Sequence, residues 1–347
     1  MATVVGWDIG GAHLKAARAE EGQVVAAIQV AAPLRFGLER LAQSFAEAKA
    51  RIGSADRHVI TMTGELADTF SSRTEGALSL TATAVRELGE VAVYAGRGGF
   101  ISPADVGGHV TDIASANWFA SASIVAKTIS SALLIDLGST TTDIIPIVSN
   151  TVAARGYTDA ERLATGELVY TGVVRSFLMA TAETAPFAGS WTGLVHENFS
   201  NMGDVHRILG TLPEGADQMM TADGREKTVE ASEARLARMI GHDRGDADGP
   251  AWTALAQWFA EAQIRAISDG AMLVLSQNQL PSDTSMVVAG IGETVLHEVA
   301  RRLGRKCIGF DRLIDVMQTV RSAAAASAPA AALALLGSAL AGTGALP

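Results

Sequence analysis

The segments VVGWDIGGAHLK (residues 4–15) and LLIDLGSTTTDII (residues 133–145) share one pattern, and their first aspartates, Asp8 and Asp136, are 128 positions apart. Each has an apolar run, an aspartate, a glycine turn and a second strand-like run. This pattern predicts a β-hairpin that holds a carboxylate beside the backbone N–H groups of its turn. Glycine permits close approach to an anion, and a carboxylate suits a hard cation such as Mg²⁺. Two copies predict a phosphate-binding cleft between two similar halves.

The composition is that of a folded protein large enough for two hydrophobic cores: 347 residues, 48% apolar and 18% charged. The net charge is −10 and no basic cluster is present, so we expect no nucleic-acid partner. The single Cys307 excludes a disulfide framework and a multi-thiolate metal site. The chain enters a strand at once without a basic or cleavable leader pattern, which favours the cytoplasm.

The segment from Ala323 to Ala341 is almost uncharged, but it is rich in alanine and contains Pro329. Its composition favours a packed C-terminal helix with a break over a membrane span, so we expect no membrane partner.

The remaining pattern predicts two α/β halves with more helix in the second. We expect domains at 1–130 and 131–320, followed by an alanine-rich helix and tail at 321–347. The first half is predicted to have strands at 23–31, 58–62 and 91–95 and helices at 37–51, 74–88 and 114–127. The second is predicted to have helices at 159–167, 169–182, 201–212 and 250–275, loops at 217–227 and 241–249, a strand at 285–289 and a helix to 303.

Asp8 and Asp136 are the strongest candidate site residues. An aspartate near a glycine can serve only the turn, but recurrence after equivalent buried strands favours a functional pair. We expect the two carboxylates to face each other and to bind Mg²⁺ directly or through water. The turns that would hold the phosphate comprise Gly10, Gly11, Ala12, Gly138, Ser139, Thr140 and Thr141.

Lys15 and His13 lie on the strand that leaves the first turn. The Lys15 ammonium is suited to a phosphate as a point charge, although a lysine on an apolar strand can also extend to solvent. His13 is a catalytic candidate, a neutral hydrogen-bonding partner or a core residue.

The two turns, with the segment 287–293, resemble the phosphate and adenosine motifs of the superfamily of actin, sugar kinases and heat-shock ATPases. The resemblance covers nearly the whole chain. It implies duplicated actin-like, ribonuclease H-like α/β domains with a cleft between them, and it places Gly290 and Gly292 at a nucleotide-type position.

More narrowly, several segments resemble the hydantoinase and oxoprolinase branch. Within it they are similar to tetrahydromethanopterin-linked one-carbon proteins of the furan-methanamine synthase type. These segments are DIGGAHLK (8–15), TMTGEL (61–66), ANW (116–118), DLGSTTTDIIP (136–146), and RL (162–163) with GELVYTG (166–172).

The resemblance implies a transferase of methanofuran or methylofuran biosynthesis that acts on small molecules. The diphosphate of an aminomethyl-furanmethanol would leave, and the phenol oxygen of a glutamylated tyramine or tyrosine would bond to the furan methylene. Base candidates are Glu65, Asp143 and His13. Asn117 and Trp118 are candidates for contact with an aromatic substrate, and Arg162 and Arg175 for its glutamyl carboxylate. A loop carboxylate, a core tryptophan and surface ion pairs are the structural alternatives.

Gly290-Ile291-Gly292-Glu293 departs from the fuller glycine cluster of many ATP-using relatives. This departure favours a diphosphate substrate over ATP. An ATP-dependent kinase or oxoprolinase-like enzyme is the main alternative, and a nucleotide-gated assembly protein is a second. Homo-oligomerisation is compatible with each of them.

Overall fold

Two β-sheets with accompanying helices organise the computed structural model, which describes residues 2–277 and 279–341. The first half contains β1 Val4–Ile9, β2 His13–Glu20, β3 Gln23–Ala31, α1 Leu38–Ile52, β4 Arg57–Met62, α2 Arg73–Leu88, β5 Val91–Tyr94, β6 Phe100–Ile101, α3 Val110–Ile113 and α4 Asn117–Thr128. The second half begins with β7 Ser131–Leu137, β8 Thr142–Val148, β9 Thr151–Val152, α5 Asp159–Thr165, β10 Leu168–Val169, α6 Leu178–Thr181, β11 Thr184–Phe187 and β12 Ser190–Gly193. It continues with α7 Met202–Ile208, α8 Val229–Arg238, α9 Gly249–Leu275, β13 Met286–Ala289, α10 Glu293–Arg302, β14 Cys307–Gly309, α11 Arg321–Ala326 and α12 Ala328–Ala341.

The two sheets have equivalent strand orders. The first runs β3-β2-β1-β4-β5-β6, and the second runs β10-β8-β7-β13-β14 with β9 beside β8. In each, an antiparallel hairpin is followed by two parallel strands. The first hairpin places Asp8 opposite Lys15, and the second places Asp136 opposite Asp143. The predicted duplication of α/β halves is confirmed.

Hydrophobic spacing accounts for the helices that the sequence predicts well. In α1, Leu41, Phe45, Ala48 and Ile52 recur every three or four residues and are all buried. Helix α9 begins where the Asp248 side chain accepts a hydrogen bond from the Ala251 N–H, and its first turn contains a proline.

The predicted helix at 169–182 is wrong, because the second glycine turn takes the backbone hydrogen bonds of this segment. The N–H of Val173 donates to the Gly138 carbonyl at 3.0 Å, and the N–H groups of Val174 and Arg175 donate to the Ser139 carbonyl at 3.1 and 2.8 Å. The segment therefore wraps around the turn in a non-helical path, and only α6 is helical.

Other differences are smaller. Helix α4 begins at Asn117 because Ser115 has a left-handed φ of 53°, and α5 ends at Thr165 because Gly166 caps it in the left-handed region. Helix α7 ends at Ile208, and the hairpin β11–β12 and helix α8 were not among the predicted elements.

The C-terminal helix α12 packs on β1, β2 and β4 of the first sheet, and it also packs against α4, which lies on the second sheet. These helices and both sheets share one core, so the halves are joined through apolar contacts. The domain boundaries at 130 and 320 stay a prediction.

Within the described residues, no single helix reaches the length and hydropathy of a membrane span. Gln318–Ala326 and Ala328–Ala341 meet those measures only when added together, across a bend of 112°.

Strand β1 and helix α12 approach each other closely at Gly6. A Cβ there would lie 2.6 Å from the Ala334 nitrogen and 2.8 Å from the Leu333 Cβ. We expect Gly6→Val to lower the free energy of unfolding by about 3 kcal/mol or more, because backbone on both sides cannot yield easily. The matched control is Gly107→Val, at a position where a Cβ would meet no atom within 4 Å. Equal thermal unfolding midpoints for the two variants would contradict this packing.

Candidate active site

A cleft of about 520 Å³ contains both glycine turns. Most of the predicted site residues line it: Asp8, Gly10, Gly11, Ala12, His13, Lys15, Asn117, Asp136, Gly138, Ser139, Thr140, Thr141, Asp143, Arg162 and Arg175. Glu65, Trp118, Gly290 and Gly292 are not in its lining. The tertiary structure thus brings together residues that are up to 167 positions apart in the chain.

The two turns have the same closing hydrogen bond. The Gly10 N–H donates to the His13 carbonyl, and the Gly138 N–H donates to the Thr141 carbonyl, each at 2.9 Å. The N–H groups between them, at 11–12 and 139–141, have no backbone partner within the described chain. They are therefore the donors that remain for an anion, whereas those of Gly10 and Gly138 shape the turns.

Asp8 and Asp136 are buried at the base of the turns, with 5% and 8% of their surfaces exposed. Asp8 Oδ2 accepts from the Asn117 Nδ2 at 3.4 Å, and Asp8 Oδ1 has no hydrogen-bond partner among residues 2–277 and 279–341. Burial raises the pKa of Asp8 despite the opposing charge of Lys15. Burial likewise raises the pKa of Asp136 to about 7, and the charges of Asp143 and Asp8 add to this rise. The charge of Lys15 therefore compensates the burial of these two carboxylates only in part.

Lys15 supplies positive charge to both aspartates. Its strand register places it opposite Asp8, and its Nζ donates to the Ala326 carbonyl at 3.3 Å. The junction of α11 and α12 thus positions the ammonium beside the cleft.

The donor atoms of the aspartate pair would suit a Mg²⁺ ion that also binds a phosphate group. Mg²⁺ commonly takes one or two carboxylates and completes its octahedron with water and phosphate oxygens. The described residues contain no cluster of three His, Cys, Asp or Glu side chains that could hold a metal alone. The unpartnered Asp8 Oδ1 is an oxygen available for such an ion.

His13 is a neutral group in this site. Burial and the charges of Lys15 and Arg175 lower its pKa to about 3. Its Nε2 is buried and has no hydrogen-bond partner in the described part of the chain. At neutral pH the ring can donate or accept a hydrogen bond, but it is not a source of imidazolium protons.

Arg162 joins Asp143 to Trp118. Its Nη2 donates to Asp143 Oδ1 at 2.6 Å and to the Glu167 carbonyl at 3.0 Å, and its guanidinium lies 4.2 Å from the centre of the Trp118 ring. Trp118 is 2% exposed and supports Arg162 from behind the cleft, so this arrangement offers it no direct substrate contact. Asp143 is already engaged by Arg162, which makes it a weaker base candidate.

Arg175 lies in the non-helical segment beside the second turn, and its Nη1 is 3.5 Å from Thr140 Oγ1. Arg35, which sequence reasoning missed, also lines the cleft and follows Leu34, whose N–H donates to the Gly11 carbonyl. Burial lowers the pKa of Arg175, and the charge of Arg35 adds to this effect. Neither arginine has an ion pair within the described residues, so the two can receive an anionic substrate group.

Gly290 and Gly292 lie behind the second hairpin. A Cβ at Gly290 would overlap Asp136 Oδ1 and the Leu137 backbone, and one at Gly292 would overlap the Leu137 side chain. Packing against β7 therefore requires glycine at both positions.

Sequence reasoning also missed Ser115 and Asp159, both in the cleft wall. Ser115 immediately precedes the 116–118 motif, and Asp159 begins a predicted helix. Adjacency to those features was the available signal, whereas Arg35 had none.

The duplicated sheets, with a hairpin of each lining one cleft, define an actin-like ATPase fold. Among solved structures, nucleotide-free acetone carboxylase aligns with a TM-score of 0.59 and 11% identity, over 96% of this chain and 70% of that one. This likeness concerns the fold alone.

The sequence profile of the hydantoinase/oxoprolinase family matches residues 56–336, and the chain belongs to this family. It is similar to the (4-{4-[2-(gamma-L-glutamylamino)ethyl]phenoxymethyl}furan-2-yl)methanamine synthase of Methanocaldococcus jannaschii, with 29% identity over 85% of this chain and 88% of the relative. The protein of the same name from Methanococcus vannielii is 30% identical over 49% of this chain and 75% of the relative. The resemblance to the hydantoinase and oxoprolinase branch and to the furan-methanamine synthases is confirmed.

Proposed function

We propose that this protein is a transferase of methanofuran or methylofuran biosynthesis. It joins the methylene carbon of an aminomethyl-furanmethanol diphosphate to the phenol oxygen of a glutamylated tyramine or tyrosine, and diphosphate leaves. Similarity over most of the length of the archaeal synthase supports the general part of this proposal, that the protein is an enzyme of this biosynthesis. The name of that relative contains a phenoxymethyl-furan unit, which is an aryl ether.

The observation that carries the detailed reaction is the pair of buried aspartates beside two glycine turns whose N–H groups at 11–12 and 139–141 have no backbone partner in the described chain. A furan methylene supports positive charge, so the enzyme's main task is to stabilise the departing diphosphate. The N–H groups at 11–12 and 139–141 and the Lys15 ammonium are positioned to receive that negative charge. Asp8 and Asp136 would hold Mg²⁺, which neutralises phosphate oxygens when it is bound.

The other cationic groups suit the rest of the substrates. Arg175 is a candidate for the glutamyl carboxylate, and Arg35 adds a second guanidinium at the same wall. Bidentate geometry makes arginine suitable for carboxylates as well as phosphates. The cleft lining does not include Gly290, Gly292 or Glu293 among the described residues, which favours a diphosphate without an adenine.

The test is a reconstituted reaction with purified protein, synthetic furan diphosphate, γ-glutamyl tyramine and Mg²⁺. We expect mass spectrometry to detect the aryl ether, with one diphosphate released per ether and no need for ATP. A parallel arm with the tyrosine acceptor identifies the preferred phenol. ATP hydrolysis that is lost in Asp8→Asn, without any ether product, would instead support the ATP-dependent alternative.

A further inference from the structure

Three side chains with oxygen atoms, those of Asp159, Ser115 and Glu65, form a hydrogen-bonded row that leads from the cleft into the first half of the protein. Ser115 Oγ lies 3.0 Å from Glu65 Oε1 and 3.1 Å from Asp159 Oδ2. Ser115 and Asp159 line the cleft, whereas Glu65 is 1% exposed and lies behind them. This wall also contains Asn117, the hydrogen-bond donor to Asp8.

The hydroxyl of Ser115 has one proton and therefore donates to only one of the two carboxyl groups at a time. The other contact is a full hydrogen bond only when that carboxyl group is protonated and donates to Ser115 Oγ. The three groups can thus pass a proton along this row without movement of their heavy atoms.

The two carboxyl groups of this row have different electrostatic surroundings. The Arg73 guanidinium pairs with Asp159, with Nη2 at 3.2 Å from Oδ2. Glu65 Oε2 is buried and has no partner among the described residues, and burial raises the pKa of Glu65 to about 7. Glu65 is therefore able to take up and release a proton near neutral pH.

The backbone near Ser115 and Glu65 has two unusual features. Ser115 has a φ of 53°, an uncommon conformation for a non-glycine residue. A Cβ at Gly76 would lie 2.7 Å from the Glu65 Cα, so only glycine lets α2 approach the backbone of Glu65 this closely.

We propose that Asp159, Ser115 and Glu65 form a relay that removes the proton of the acceptor phenol as the ether bond forms. This inference rests on the proposed transferase function. The phenol oxygen forms a bond to the furan methylene, and the bond from that carbon to diphosphate breaks with its electron pair on the diphosphate. The phenol proton passes to Asp159, a proton passes from Asp159 to Ser115 Oγ, and the Ser115 proton passes to Glu65. Asp159 is the catalytic residue that contacts the phenol, and Ser115 and Glu65 act through it.

The test varies the acidity of the acceptor. Glu65→Gln keeps the shape of the side chain but cannot accept the proton, and we expect it to lower turnover about a hundredfold with γ-glutamyl tyramine. With a ring-fluorinated, more acidic acceptor, the loss should shrink to about tenfold or less, because less assistance is needed to remove the proton. Ser115→Gly should behave in the same way, and glycine suits the positive φ at this position.

Glu90→Gln is the matched control, because Glu90 is 91% exposed and its carboxylate pairs with Arg57 at the surface. Thermal unfolding of each variant checks that it is folded. An equal loss of turnover with both acceptors, or no loss, would overturn the relay while the transferase function stands. A wild-type protein that forms no ether with either acceptor would overturn both proposals.

Discussion

Asp8→Asn and Asp136→Asn should each lower ether formation by about a hundredfold or more, the scale on which loss of transition-state charge stabilisation acts. Each substitution keeps the shape of the side chain and removes one negative charge from the base of the turns. In the proposed reaction, that charge would hold the Mg²⁺ that neutralises the departing diphosphate. Turnover under saturating substrates measures the effect, with the exposed Asp283→Asn as the matched control.

Stability gives the aspartate variants a readout besides activity. Burial holds the pKa of Asp136 at about 7 instead of 3.8, so the folded state disfavours its charged form. Stability is therefore greatest when Asp136 is protonated and falls as the pH rises from about 4 through 7. At pH 8 without Mg²⁺, Asp136→Asn should raise the free energy of unfolding by at most about 4 kcal/mol. A variant with near wild-type turnover and unchanged stability would show that Asp136 is neither a carboxylate of the site nor a destabilising buried charge.

Removal of divalent cations is the second large effect. We expect EDTA to lower wild-type turnover by about a hundredfold or more and excess Mg²⁺ to restore it, because two aspartates beside a diphosphate otherwise repel it. Calorimetry with inorganic diphosphate provides an independent measurement, in which tight binding should require Mg²⁺. In Asp8→Asn this Mg²⁺ dependence should be weaker.

One result would contradict the prediction that the aspartates bind Mg²⁺. Full wild-type turnover in EDTA, together with unchanged diphosphate affinity, would exclude the metal role of the aspartates. Lys15 and the turn N–H groups would then be the remaining means of stabilising the leaving group.

Local sequence patterns were sufficient to predict the elements whose hydrogen bonds are local or whose buried residues recur with a regular period. The two hairpins, α1 and the long α9 follow directly from glycine positions, apolar spacing and a proline near a helix start. The two aspartates could be found from the sequence because the same motif occurs twice.

Non-local interactions decided the parts that pattern reasoning missed. The predicted helix at 169–182 has apolar spacing compatible with a helix, but the N–H groups of residues 173–175 donate to the carbonyls of Gly138 and Ser139 in the second turn. Trp118 stands in a motif that suggested substrate contact, yet Arg162 covers its ring.

The sequence by itself therefore determined the duplicated hairpins, the α/β class and the two aspartates that the proposed reaction uses, because each of these features depends on the residues of a contiguous segment. Only the tertiary structure decided which side chains meet in the cleft wall and directly behind it. Glu65, Ser115 and Asp159 come from three distant segments, and Arg35 and Arg175 come from opposite halves. Their proximity depends on how the sheets and α12 pack, and that packing is the sum of many contacts that no single segment contains.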